Sequence, residues 1–100
     1  MNGTDFNTST ALKETTNNST LSKREQHLIG LAVTLTRGCR PCTTRRFTEA
    51  AQSGISKQEL TDLTDLVALT NAGVVIRTAL DSWDSEKNDA ACEDDICSVN

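Results

Sequence analysis

Ser22-Lys23-Arg24-Glu25, entered from Leu21 and followed by Gln26-His27-Leu28-Ile29-Gly30-Leu31-Ala32-Val33-Thr34-Leu35, is the stretch on which the fold turns. Ser22 and Glu25 stand three apart, as in a capping box, where each side chain satisfies a backbone N–H that the first helical turn leaves open. Leu28, Leu31, Ala32 and Leu35 then recur at helical spacing, and Gly38 supplies the stop. Working outward, the next segment opens at Cys39-Arg40-Pro41-Cys42, with proline where a first helical turn tolerates it. A second helix is expected over residues 41–53, with Cys42, Phe47, Ala50 and Ala51 facing inward. Gly54 closes it, and Ser56-Lys57-Gln58-Glu59 is a second capping box that opens the series Leu60, Leu63, Leu66 and Val67. Ala72, Val75, Ile76, Ala79, Leu80 and Trp83 keep the same period, so residues 71–73 are either a short break or a weak spot in one long helix. No alternating apolar pattern supports a strand, and the expected fold class is all-α.

Three zones follow. Residues 1–20 are almost wholly Asn, Thr, Ser and a few charges, with Phe6, Ala11 and Leu12 as sparse apolar material, and are expected to be a disordered polar arm. Residues 21–83 are the helical domain, and residues 84–100 form an acidic tail holding Cys92 and Cys97. A domain of about 63 residues is marginal as a single hydrophobic core. The apolar stripe of Val74, Val75, Ile76, Leu80 and Trp83 is also wider than one neighbouring helix covers, so a homo-oligomer is expected.

Ten Lys and Arg against 14 Asp and Glu give a net charge of -4, which argues against a general nucleic-acid binder. The chain has no unbroken apolar run of membrane-spanning length and no export signal, so a cytoplasmic protein with no membrane partner is expected. In that compartment four cysteines point to redox or metal chemistry rather than to a disulfide scaffold.

A thiol is nucleophilic as the thiolate, which a helix N-terminus and nearby cations favour. Cys42 is placed in the first turn of the expected second helix, within a run holding Arg37, Arg40, Arg45 and Arg46 and no acid. Cys39 is close enough in sequence to close a small disulfide ring with it. The same C-x-x-C also reads as two small buried hydrophobes or as half of a zinc site. Zinc would need His27, Cys92 or Cys97 as further ligands beside a cluster of arginines, and the residues favour the redox pair. No cofactor beyond the cysteines is implied.

The stretch from Leu21 to Ile29, the pair Cys39 and Cys42, Gly54 and the capped helix from Ser56 together resemble the carboxymuconolactone decarboxylase superfamily, and the C-x-x-C resembles its alkylhydroperoxidase D-like branch. The likeness covers about Leu21 to Leu80. It implies a small all-α subunit assembling as a trimer or hexamer, and a thiol peroxidase or disulfide reductase acting on a hydroperoxide or disulfide with an external thiol reductant. The family pattern sets a Glu ahead of the first Cys, with eleven residues between, and a His after the second, with three between. Those positions here hold His27 and Arg46. The resemblance makes Cys42 the attacking thiolate and Cys39 the resolving one. Arg46 carries a permanent charge, so it suits thiolate stabilisation and not a proton relay. His27 is the expected replacement base, and Arg40, inside the cysteine ring, a thiolate-stabilising or substrate-binding residue.

Asp81, Asp84, Glu86, Asp89, Glu93, Asp94 and Asp95 surround the second pair with negative charge, which makes Cys92 and Cys97 sluggish nucleophiles. The residues favour a frayed tail whose cysteines pair with each other or with nothing; the other reading is a secondary redox pair, Cys92 and Cys97, whose acidic surroundings complement the arginine cluster. The expected function is a thiol-disulfide oxidoreductase or peroxidase with an altered proton relay. The alternative is a catalytically degenerate member serving as an oligomeric binding or assembly scaffold, with a lactone decarboxylase third.

Overall fold

A computed structural model describes residues 1–88 of the 100-residue chain. A single 3-10 turn at Gly3–Asp5 precedes four helices, α1 (Asn7–Asn18), α2 (Lys23–Arg37), α3 (Arg40–Gln52) and α4 (Lys57–Asn88), and the described residues contain no strand. The protein is all-α.

The capping signals act as the residue types require. Ser22 Oγ accepts from Glu25 N at 3.1 Å while Glu25 Oε1 accepts from Ser22 N at 2.8 Å, completing the box that starts α2. Gly38 ends α2 in the left-handed region, at φ 70°, where a side chain would be strained. Its N–H donates to Leu35 O and that of Cys39 to Thr34 O, both at 3.1 Å, which turns the chain sharply into α3. Ser56 Oγ accepts from Glu59 N at 3.1 Å, starting α4. Glu59 spends its carboxylate elsewhere, on Arg24 of α2 at 2.6 Å.

The core is small. Leu31, Ala50 and Ile55 are buried, with Leu28, Phe47, Leu60 and Leu63 packed partly against them. α2 and α3 form a hairpin, and α4 lies alongside α2 in parallel register, with Arg24 meeting Glu59 and Asn71 Nδ2 donating to Thr36 Oγ1 at 3.0 Å. Beyond that point no other described helix runs alongside α4, and every residue from 72 to 85 is exposed.

At four places the structure differs from the sequence expectation or decides between its alternatives. The polar arm contains α1, whose centre holds the helix formers Ala11, Leu12, Lys13 and Glu14. It buries none of its residues, and its one hydrogen bond to α2 runs from Gln26 Nε2 to Thr16 O at 3.2 Å. Residues 71–73 are no break, because a glycine with open space around it lowers helix stability without interrupting the backbone ladder. α4 also runs past Trp83 into the expected tail. Cys42 and Ala51 are exposed rather than inward, since α3 has a covering neighbour on one flank only.

Helix length also reveals what a search for an unbroken apolar run passes over. Lys57–Ser85 is long and apolar enough to cross a membrane by length and composition, reaching a mean hydropathy of 1.3 over 18 residues, with none of that window buried.

Candidate functional site

The αL turn at Gly38 delivers Cys39 as the N-cap of α3, and Pro41 follows inside the first turn. Cys42 therefore sits in the first turn of α3, among N–H groups that have no intrahelical acceptor. Cys39 and Cys42 are joined as a disulfide across a Cα–Cα separation of 5.4 Å. Thr43 reinforces the joint, its N and Oγ1 both donating to Cys39 O, at 3.0 and 2.8 Å. Cys39 is half-buried and Cys42 faces solvent.

The two sulfurs look onto different surroundings. On the Cys39 side lies an open groove of about 350 Å³, walled by Leu35 and Phe47, floored by Gly38 and Thr43, and carrying Arg40 at its edge. A second groove, about 480 Å³, continues from Phe47 between α3 and α4 along Ala51, Leu60 and Thr64. Neither groove was legible in the sequence, because each is made by residues from separate helices.

Of the four arginines near the cysteine pair, Arg40 and Arg46 were expected to serve the site, and the structure gives the four different surroundings. Arg45 pairs with Glu49 on the surface at 3.3 Å. Arg37 and Arg40 are exposed and form no ion pair among the described residues. Arg46 is half-buried, one turn along α3 from Cys42, and lays its guanidinium over Gly30 of α2. A Cβ at Gly30 would collide with it. The contact explains a glycine in mid-helix, a signal that sequence reasoning passed over.

His27 is not brought to Cys42. Its Nε2 and Ser53 Oγ are hydrogen-bonded at 3.0 Å, at the opposite end of the α2–α3 hairpin. Cys42 and Ser53 are separated by about 16 Å of helix at 1.5 Å per residue. The antiparallel pairing of the two helices causes this: a residue far ahead of the cysteine joint in α2 must lie beside the far end of α3. In order along the seam stand Cys42, then Arg46 over Gly30, then His27 with Ser53. Cys92 and Cys97 lie outside the described residues.

A model of the carboxymuconolactone decarboxylase family matches residues 5–84, four helices and the cysteine joint included. The chain belongs to the carboxymuconolactone decarboxylase family. The match takes in α1, which the resemblance read from the sequence left out. No curated protein and no solved structure matches the chain. Within the family fold, the Cys39–Cys42 pair is compatible with alkylhydroperoxidase D-like redox chemistry.

Proposed function

We propose that the protein is a cysteine-based thiol-disulfide oxidoreductase or peroxidase of the alkylhydroperoxidase D type. The observation that carries this reading is the Cys39–Cys42 disulfide at the N-terminus of α3, in a family-matched fold with arginines around it. The reduced Cys42 thiolate attacks a peroxide oxygen or a disulfide sulfur. With a peroxide the O–O bond breaks, the alcohol leaves and a sulfenic acid forms on Cys42. The Cys39 thiolate then attacks that sulfur and expels water, leaving the disulfide, which an external thiol reduces.

Arg46 holds the thiolate from one turn away. His27 does not act on Cys42 directly in this reading. Cys42 is exposed, so its proton passes to solvent, and His27 is a positioning residue that closes the far end of the α2–α3 seam through Ser53. Arg40 contacts substrate at the edge of the Cys39 groove.

The active form we propose is a homo-oligomer, a trimer or hexamer. The chain exposes 8295 Å², whereas a compact monomer of this mass exposes about 5,500 Å². Large apolar side chains of α4 are among those exposed, with Leu69 70%, Val75 65% and Leu66 64% exposed. A bilayer is the poorer cover, because Asp62, Asp65, Arg77 and Asp81 interrupt the same helix. Each such charge costs about 3 kcal/mol at the membrane centre on insertion scales. We propose a cytoplasmic location, where a dithiol is returned to its reduced state between turnovers.

The deciding experiment treats fully reduced protein with stoichiometric tert-butyl hydroperoxide at neutral pH, follows thiol loss, and maps the disulfides by mass spectrometry. Rapid thiol loss that requires Cys42, with a Cys39–Cys42 bond as the product in the Cys92→Ser/Cys97→Ser variant, supports the reading. A rate no higher than that of a free thiol sinks the peroxidase and leaves disulfide exchange to be assayed. The changed relay positions favour a second reading, a degenerate member acting as an assembly scaffold, which predicts inertness toward both substrates.

A further inference from the structure

The groove beside Cys39 has an unusual lining for a surface hollow. Leu35 and Phe47 line it together with Cys39, one half of a disulfide, and with Arg40, while Arg37 is exposed one residue before Gly38. Neither arginine has an ion-pair partner among the described residues. A ligand matching this lining would present an apolar side chain, a thiol to exchange with Cys39 and several negative charges. The chain itself encodes such a segment, Glu93-Asp94-Asp95-Ile96-Cys97.

We propose that the segment Asp94–Cys97 docks in this groove, with Ile96 against Leu35 and Phe47, Asp94 and Asp95 on Arg37 and Arg40, and Cys97 at the Cys39 sulfur. Reach permits it. The parallel register sets Asn71 of α4 level with Thr36, close to the joint. From Asn71 to Asn88 the helix advances about 25 Å, at 1.5 Å per residue. From there to Cys97 an extended chain covers about 30 Å, enough to return.

The inference rests on Cys39–Cys42 being the redox pair, and names its immediate reductant. The Cys97 thiolate attacks Sγ of Cys39; the Cys39–Cys42 bond breaks and Cys42 leaves as a thiolate at the α3 N-terminus, where that charge is best supported. The Cys92 thiolate then attacks Sγ of Cys97 and releases Cys39. Two electrons have passed to Cys39 and Cys42, the tail holds a Cys92–Cys97 disulfide, and the two thiol protons lost by the tail are regained by Cys39 and Cys42 through solvent. Docking also lifts the brake on the tail, since acids paired with arginine no longer disfavour the thiolate. The tether adds an effective concentration that no free thiol at trace level matches.

The test uses the full-length variant Cys42→Ser/Cys92→Ser, which retains Cys39 and Cys97, oxidised with diamide and mapped by non-reducing peptide mass spectrometry. A Cys39–Cys97 cross-link is expected as the main product, independent of protein concentration. It should fall several-fold in about 0.5 M NaCl, where the Debye length shrinks to about 4 Å, and several-fold again with Arg40→Glu. The companion Cys42→Ser/Cys97→Ser should cross-link Cys39 to Cys92 several-fold less. Equal yields for Cys92 and Cys97, or a yield indifferent to salt and to Arg40, overturn the proposal. Wild-type protein given one equivalent of tert-butyl hydroperoxide separates the two levels of inference. A Cys39–Cys42 bond that persists beside reduced Cys92 and Cys97 overturns the transfer and spares the pair's redox role, whereas a pair that never oxidises overturns that role.

Discussion

Arg46 and Gly30 make the most economical test of the site at the scale of single residues. Substituting Gly30→Ala puts a methyl where the guanidinium lies, yet the displaced group is the flexible end of a side chain that can swing away. The helix also gains about 1 kcal/mol from replacing glycine by alanine. The expected outcome is a thermal midpoint no lower than wild type with slower alkylation of Cys42 by iodoacetamide, matching Arg46→Ala in rate. A large loss of stability with unchanged thiol reactivity would show that the contact only packs the seam. Substituting His27→Ala should behave in the opposite way. Removing its bond to Ser53 costs about 1 kcal/mol, typical of one net hydrogen bond, while peroxide-driven thiol loss at neutral pH stays at the wild-type rate. A rate falling in step with His27 removal, at preserved helicity, would return the histidine to the proton path.

At the scale of elements, α2 and α4 depend on their first turns. Replacing Ser22 by Ala should lower stability by about 1 kcal/mol in urea titrations, the usual cost of a lost N-cap. The same caps set a pH dependence. Hydrogen bonds from the Ser22 backbone and then its hydroxyl hold the Glu25 carboxyl below its ordinary value, and the hydrogen bond from Arg24 does the same for Glu59. Both folded carboxylates bind fewer protons than their unfolded counterparts. Their contribution is complete at neutral pH and is lost as the pH falls below the ordinary glutamate range and through the lowered folded values. Thermal midpoints measured from neutral pH downward should decline over that acidic window, and the decline should shrink in Glu25→Gln. These caps were legible in the sequence because they are written within four residues. α1 was not, since it has no apolar stripe to announce it and no buried residue to anchor it.

The whole molecule is open where a finished core would be closed. Its radius of gyration is 19.2 Å, against about 13 Å for a compact domain of 100 residues. Among the described residues only Leu31, Ala50 and Ile55 are buried, and the outer half of α4 stands clear of the other described helices. Substituting Ile76→Asp or Leu69→Asp should convert a trimer or hexamer to monomer in light scattering, with loss of thermal stability that grows on dilution. Wild-type protein should stay with the aqueous phase when floated with lipid vesicles. Flotation of the wild type would move α4 from a subunit contact to a bilayer.

Periodicity, capping boxes and glycine stops are local, so the sequence by itself determined α2, α3 and the start of α4, the sharp joint between α2 and α3 and the placing of Cys39 and Cys42 there, while the continuity of α4 through residues 71–73 was decided by the structure. The disulfide partner was equally local, three residues away. What lay beyond local reach was pairing between elements. That α2 and α3 run antiparallel put His27 beside Ser53 and away from Cys42, and it laid Arg46 over Gly30. That α4 runs parallel to α2 set its outer half beyond the core. Such registers come from the summed packing of Leu31, Ala50, Ile55 and their neighbours across three helices, an energy that no short stretch of the chain contains.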